Sequence, residues 1–573
     1  MGRALPRNDD LAETLELLAD LLELDGADVF RLQAYRRAAT RIRESAVPVA
    51  RLALDGKAKQ LSGIGGTIEA KIVEIAETGE LAALDKVRGR IPPGLVGVMH
   101  VPGLGPKTAR RLWTELGVQS VDDLRSAAEA HRLRSLPGLG ERTEERVLQA
   151  LAATDGPKVA TGRALLGRAL PFVQAVVEEL REHPAAVRVS EAGSVRRRSE
   201  TVRDLDVIAT ASDAAALIEH FVSRPWVAEV VAKGQTKATV VSHDGLRFDL
   251  RVVAPECYGN LLQHFTGSKE HNIALREDAV RRGLSVSEYG VETLETGQVA
   301  QMATEEELYE ALGYEQIPPE LRENTGELEA ARSRTLPALV ERAEVQGDLH
   351  THTDWSDGKA TLEQMVAAAA ARGYRYFAIC DHAKRLKDGR LERQAEAIAE
   401  VSAAQPGIEV LSGVEVDIRT NGSLDLDDES LAARDWVVAS IHAGFRGSRE
   451  ALTERLLAAI EHPLVDCIGH PTGRRINRRA PYELDFEAVV ARAAETGTFL
   501  EINGQPDRLD LRDSHARMAA EAGVGIVLSS DAHSIGALDY LDLAVGQARR
   551  GWLTVANVVN ARPWADVQAM RKR

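Results

Sequence analysis

Apolar positions in the first 150 residues recur at helical spacing. The stretch LAETLELLADLLEL (11–24) repeats leucine every three or four positions, and FRLQAYRRAATRIRESA (30–46) continues as a basic amphipathic helix. One local pattern then returns three times: LSGIGGTIEAKIVEIAETG (61–79), VPGLGPKTARRLWTELG (101–117) and LPGLGERTEERVLQALA (136–152). Each copy runs apolar, Pro or Ser, Gly, apolar, Gly, then a helix. From about residue 187 the texture changes to strands: VRVSEAGS, LDVIAT, WVAEVVAKG, KATVVSHDG and LRFDLRVVA. Helices resume at 263–283. A polar stretch with Pro-Pro at 317–346 predicts a linker over 321–344. Beyond it, apolar strands alternate with Ala-rich helices to about residue 560, the pattern of a parallel α/β architecture.

At 573 residues the chain is too long for one core. It has no apolar run of membrane-spanning length, and its first residues lack a signal-peptide core, so a cytoplasmic protein is expected. Cys257, Cys380 and Cys467 are widely spaced in or beside apolar stretches, which predicts buried thiols. The net charge of −16 argues against nucleic acid at first sight. However, residues 1–160 hold 23 basic and 23 acidic side chains, so the whole excess lies beyond them. Local patches therefore decide the matter.

A Gly-x-Gly turn opening a helix presents consecutive backbone N–H groups to an anion. One copy is weak, because tight turns between helices use the same residues. Three copies in one helical region point to DNA-backbone binding through Gly63, Gly65, Gly103 and Gly105. They are not dinucleotide fingerprints, which require a preceding strand, and no Walker A sequence occurs.

In GSVRRRSETVRDLDVIA (193–209), Asp204 and Asp206 are i and i+2 of a strand and project from one face. Alone, such a pair is more often ordinary surface acid. Here a Gly-Ser turn, Gly193 and Ser194, lies upstream with Arg197, and a third carboxylate, Asp249, follows in LRFDLRVVA. Three converging carboxylates suit two Mg²⁺ or Mn²⁺ ions, with the turn and Arg197 holding phosphate oxygens.

The C-terminal strands end in metal-ligand types. QGDLH gives His350, with His352 and Asp357 beyond; YFAICDH gives Asp381 and His382; VLSGVEVD gives Glu415. WVVASIH gives His442, CIGHP gives His470, TFLEIN gives Glu501, and IVLSSDAH gives Asp531 and His533. Sites in α/β barrels form at the carboxyl ends of strands, so these residues are expected to converge. Mixed imidazole and carboxylate donors suit Zn²⁺ or Mn²⁺.

These motifs carry two resemblances. Residues 8 to 320 resemble the DNA polymerase X family, with a polymerase beta-like core, through AYRRAA, LSGIGGTIEAKI, VPGLGPKTARRL, GSVRRRSE, DLD, FDLR, and HFTGS followed by NIALR. The resemblance implies that Asp204, Asp206 and Asp249 are catalytic metal ligands, with Arg247 orienting Asp249. It implies nucleotide contacts from Gly193, Ser194, Arg197, Phe265, Gly267 and Asn272, and a template contact from Arg276. His264 replaces a family tyrosine beside the sugar, which bears on ribonucleotide discrimination, and Arg203 replaces a small residue before the first aspartate. The helical N-terminus is similar to the family's deoxyribose-phosphate lyase region. Lys71 falls at the nucleophile position and Tyr35 beside it, while Thr67 and Phe30 depart from that pattern.

Residues 345 to about 570 resemble the PHP (polymerase and histidinol phosphatase) domain. This implies a trinuclear phosphoesterase centre in which His350, His352 and Asp531 share one metal. Asp357, His382 and His533 share another, and His442 and His470 serve the third, with Glu415 bridging. Bacterial chains of this two-part type imply 3′–5′ exonuclease action, with abasic-site or 3′-phosphate hydrolysis as further activities. Arg474 and Arg475 are candidates to hold substrate phosphates.

The expected architecture is multidomain. A helical lyase-like domain (1–85) precedes a helical DNA-binding domain (86–160), both with helix-hairpin-helix motifs. An α+β nucleotidyltransferase palm (161–255), a thumb-like subdomain (256–320), the linker (321–344) and an α/β distorted seven-stranded (β/α)7 barrel (345–573) follow. Gapped or primed duplex DNA and dNTPs are the expected partners of a monomer in the bacterial cytosol, associated with the nucleoid and filling short gaps in repair. A template-independent nucleotidyltransferase joined to a small-molecule phosphoesterase or structural metal domain is the alternative.

Overall fold

Leu11, Leu15, Leu18 and Leu22 fall on one side of helix Asn8–Leu24, and all four are buried. Helix Val29–Glu44 packs Leu32, Tyr35, Ala39 and Ile42 onto the same core, and Asp28 caps it by accepting from the Phe30 amide. Its polar face is partly neutralised already, since Arg36 pairs with Asp20 at 2.6 Å and Arg43 with Glu16 at 2.7 Å. The computed structural model describes residues 5–6, 8–45, 48–61, 63–101, 104–136, 139–154 and 163–572. The chain forms two compact units, Met1–Ala160 and Thr161–Arg573. Among the described residues the first unit is helical throughout, on one continuous core that runs from Leu11 to Leu151.

The second unit begins with a five-stranded sheet. Its strands lie in the order Ala186–Glu191, Asp204–Ala211, Arg247–Val252, Lys237–Ser242, Val227–Lys233. Leu205 and Val207 of one strand and Phe248 and Leu250 of another point into a core covered by helix Leu166–Arg181. Alternation therefore turns Asp204, Asp206 and Asp249 to the opposite face. Strands Asp204–Ala211 and Arg247–Val252 run parallel, with Asp206 opposite Asp249 and Asp204 opposite Arg247. The thumb follows: helices Tyr258–Thr266 and Lys269–Arg281, a three-stranded sheet, and helix Glu305–Ala311.

The expected linker is a folded strap instead. Leu321 and Ala331 join the thumb core and Leu339 with them, while Arg322 and Glu327 are wholly buried. Arg322 binds Glu305 at 2.6 Å, and Glu327 lies 2.7 Å from His271. These polar residues read as a solvated linker because their partners lie elsewhere in the chain.

Seven parallel strands in sequential order then make the barrel: Gly347–Thr351, Tyr376–Ile379, Glu409–Asp417, Trp436–Ser440, Cys467–Ile468, Phe499–Asn503 and Ile526–Ser529. A bridge from Thr351 to Ala532 links the last strand's end back to the first. A helix follows each strand, from Leu362–Ala371 to Leu541–Arg550. Inside, Leu349, Trp436, Val438 and Phe499 pack with Trp564 of helix Trp564–Ala569. Cys257, Cys380 and Cys467 are free and buried. No helix among the described residues is long and apolar enough to cross a membrane.

Candidate active sites

The palm triad is built by strand register. Asp204 and Asp206 share a face by period, and the parallel neighbour brings Asp249 beside Asp206. Arg247 lies 3.3 Å from Asp249 and 3.7 Å from Asp204, and the Thr239 hydroxyl donates to the other Asp249 oxygen. Burial raises the Asp206 pKa to about 7, helped by the neighbouring Asp249 and Asp204 charges and opposed by Arg251 and Arg197. The three neighbouring carboxylates disfavour one another's charged forms, and a cation between them relieves that repulsion.

Gly193 has φ +65°, and a Cβ there would stand 2.3 Å from the Asp206 carboxylate, so the turn beside the triad requires glycine. Ser194 follows it in the short helix Gly193–Arg196. Arg197 donates to the Thr266 carbonyl at 2.5 Å and to Glu323 at 3.0 Å. The thumb residues form one cluster: Arg276 lies 2.8 Å from His264 Nδ1, Asn272 donates to the His264 carbonyl at 2.8 Å, and Arg251 stacks on Phe265 at 4.4 Å. Gly267 sits at φ +69°, beside Arg197. Burial lowers the His264 pKa; Glu288 opposes this, and Arg276 and Arg251 add to it. Arg203 is exposed beside Asp204.

In the helical unit, Gly65 and Gly105 are the N-caps of helices Gly66–Thr78 and Pro106–Leu116. Gly63 (φ +87°), Gly65 and Gly105 each leave open space where a Cβ would stand, so a phosphate can approach the backbone. Gly103 lies outside the described residues. Lys71 is half-buried and Thr67 exposed on the first of these helices; Lys71 makes no hydrogen bond or ion pair among the described residues. Tyr35 is buried and Phe30 is 84% exposed.

At the barrel mouth the strand ends converge as three groups able to hold a metal: His350, His352 and Asp531; His352, Asp357, His382 and His533; and His382, Glu415 and His442. Glu415 is the hub, 2.9 Å from His382, 3.2 Å from His442, 3.3 Å from His470 and 3.5 Å from His350. Buried His350 Nε2, His352 Nε2 and Glu415 Oε1 have no hydrogen-bond partner. Leaving such atoms unpaired is costly, and a cation among them satisfies all at once. Burial favours a neutral Glu415, but His442, His350 and His382 outweigh it and hold its pKa well below the usual range. The donor set therefore fits divalent metals.

Family models match the same regions. A helix-hairpin-helix domain covers residues 6–81, a SAM-like helix-hairpin-helix tandem 97–153, a DNA polymerase beta thumb 261–323 and a PHP domain 348–505. The chain is 39% identical over 577 residues to the DNA polymerase/3'-5' exonuclease PolX of Bacillus subtilis (strain 168), covering 98% of this chain and 99% of that one. The chain belongs to the PolX family. Its barrel alone is similar to smaller proteins: a probable phosphatase of Acetivibrio thermocellus is 32% identical over 195 residues, which is 32% of this chain and 78% of that one. One from Thermoanaerobacter sp. (strain X514) is 35% identical over 205 residues, 32% of this chain and 78% of that protein.

In this PolX chain Arg474 does not face the metal centre. It is buried, bound to Glu200 at 3.1 Å and to the Leu509 carbonyl, and so ties barrel to palm. Arg475 pairs with Asp507 at 2.6 Å and lines a cavity of about 460 Å³ over the ligands, together with Lys384, Arg385, Gln505 and Arg508. Sequence patterning singled out Glu501 only as a ligand type and missed Asp417 and Asn503, which also orient the ligands. Asp417 lies 2.6 Å from His442 Nδ1, Glu501 lies 2.7 Å from His350 Nδ1, and Asn503 donates to Asp531 at 3.0 Å. Asp417 was within reach, being two residues past Glu415 on the same strand face, but no pattern marks Gln505 or Arg508.

Proposed function

We propose that this PolX polymerase extends primer 3′ ends at Asp204, Asp206 and Asp249 and trims 3′ nucleotides at the barrel mouth, filling short gaps in duplex DNA during repair. The single observation that carries the reading is one chain with both a register-built carboxylate triad and a buried histidine–carboxylate centre.

In the palm, Thr239 and Arg247 fix the Asp249 carboxylate, and Gly193, Ser194 and Arg197 face the incoming triphosphate. Asn272, Phe265 and Gly267 contact the nucleotide, with neutral His264 held by Arg276 on the sugar side. Mg²⁺ or Mn²⁺ is proposed at the triad and three divalent ions, Zn²⁺ or Mn²⁺, at the barrel. His350, His352 and Asp531 would hold one, Asp357, His382 and His533 a second, and His442 and His470 the third, with Glu415 bridging. When bound, such ions neutralise charge on the phosphoryl oxygens and lower the pKa of the attacking hydroxyl or water. Lys384, Arg385, Arg475 and Arg508 supply the positive rim that draws a phosphodiester over these ligands. Gly63, Gly65, Gly103 and Gly105 are proposed to hold DNA phosphates, and Lys71 to act as a lyase amine. The proposed setting is a monomer in the bacterial cytosol, at the nucleoid.

The test compares extension of a gapped, 5′-phosphorylated duplex with that of a single strand. Templated filling of the gap is expected; growth of the single strand alone would refute the assignment in favour of a template-independent transferase.

A further inference from the structure

Residues of the barrel reach the segment that follows the Gly-Ser turn of the palm, Arg197 to Glu200. Arg474 and Gln547 each bind Glu200 at 3.1 Å. Gly546 packs against the Arg198 side chain. Arg550, at the end of helix Leu541–Arg550, donates to the Arg197 carbonyl at 3.0 Å and to Glu323 Oε1 at 2.8 Å. That same Glu323 oxygen accepts from Arg197 Nε at 3.0 Å. On its other side Arg550 holds Asp513 through Nε and Nη2, at 3.0 and 2.7 Å. Its side chain is only 11% exposed. Four charges of alternating sign thus run Arg197, Glu323, Arg550, Asp513 from the palm into the barrel.

Arg197 is also held by the Thr266 carbonyl, so reaching a triphosphate means exchanging acceptors. Leaving Glu323 carries a penalty set by what remains beside that carboxylate, because an unpaired, partly buried charge is unfavourable. With Arg550 in place, Glu323 keeps a cation when Arg197 turns away. Without it, Glu323 depends on Arg197 alone and competes with the nucleotide for it. Burial would push the Glu323 pKa up, but Arg197 and Arg550 hold it below the ordinary range, so the carboxylate is charged at neutral pH and can compete.

The geometry points to Arg550, a residue of the barrel, as a positioning residue for nucleotide binding in the palm: it shares Glu323 with Arg197 and so frees Arg197 for the triphosphate. This rests on Arg197 being a triphosphate contact. The consequence is that the barrel is not a detachable module, since the polymerase's nucleotide affinity depends on it.

Single-nucleotide insertion on a primed duplex by the full-length chain tests it, with KM for dNTP and kcat measured separately and barrel trimming as the check on folding. Arg550→Met is expected to raise KM about tenfold with kcat within about threefold. Adding Glu323→Gln removes the competitor and brings KM back to within about twofold of the parent, an outcome a simple structural brace would not give. A parental KM in R550M, or a raised KM that E323Q does not correct, overturns the proposal. Arg197→Gln separates the two readings: unchanged KM there refutes the triphosphate assignment, whereas raised KM there beside parental R550M refutes only the role of Arg550. If R550M loses trimming as well, Arg550→Lys serves instead. It keeps a charge beside Asp513 but cannot span both branches, so KM must again rise, and a parental value contradicts the proposal.

Discussion

The palm triad and the barrel centre both gather carboxylates, but they are constructed differently. In the palm, three aspartates from two neighbouring strands share an open face, with the Asp204 side chain 41% exposed and Asp249 26%. In the barrel, ligands come from the ends of most strands, and His350, Glu415 and His470 are at most 2% exposed. Two of the imidazoles there have their second nitrogen fixed by a carboxylate, His350 by Glu501 and His442 by Asp417, while His533 Nδ1 lies 2.8 Å from the Asp531 carbonyl oxygen. An open all-oxygen site takes up hydrated Mg²⁺ together with substrate phosphates. A buried mixed-donor site retains its metals between turnovers. On the proposed reading the palm centre is transient and the barrel centre resident.

The largest effects come from removing one centre and leaving the other. Asp206→Asn is expected to lower primer extension by at least about a thousandfold with trimming retained, and His350→Ala to do the reverse. Primer-extension and 3′-trimming assays on both variants check this; loss of both activities in either variant would merge the two sites into one. Next comes chelation. After brief EDTA treatment and desalting, Mg²⁺ alone should restore extension at once, whereas trimming should stay lost until Mn²⁺ or Zn²⁺ is added. Equal recovery of both in Mg²⁺ would erase the distinction.

A smaller effect is expected from the orienting residues. Glu501→Gln should weaken barrel metal affinity about 10- to 100-fold by loosening His350, measured by metal titration, with extension unchanged. The smallest concerns stability alone. Burial raises the Glu305 pKa, but Arg322 and Arg196 outweigh it and bring it down to about 2. Its folded pKa is thus below its unfolded one, so its contribution is complete above about pH 4.5 and fades as pH falls towards 2. Denaturant melts of parent and Glu305→Gln should differ by about 2–3 kcal/mol near pH 7 and converge at low pH. A gap independent of pH would show that packing, not the charge pair, matters there.

Much of both sites was legible in the sequence because each rests on a short-range rule. Period-two alternation puts Asp204 and Asp206 on one face, and the carboxyl ends of parallel strands collect His350, Glu415, His442 and Asp531. What stayed hidden depends on distance. Arg322 and Glu327 look like linker residues until Glu305 and His271 are seen against them. Arg474 looks like a phosphate ligand, and only folding brings Glu200 to it from 274 positions away. Arg508 lies 3.9 Å from Asp531 on a loop that no periodicity marks.

Metal content after gel filtration in metal-free buffer tests the central contrast most directly. The parent and Asp206→Asn should retain two to three zinc or manganese ions per chain, and His350→Ala at least one fewer. Retained metal that follows Asp206 instead, or an active trimming enzyme that holds none, would contradict the account.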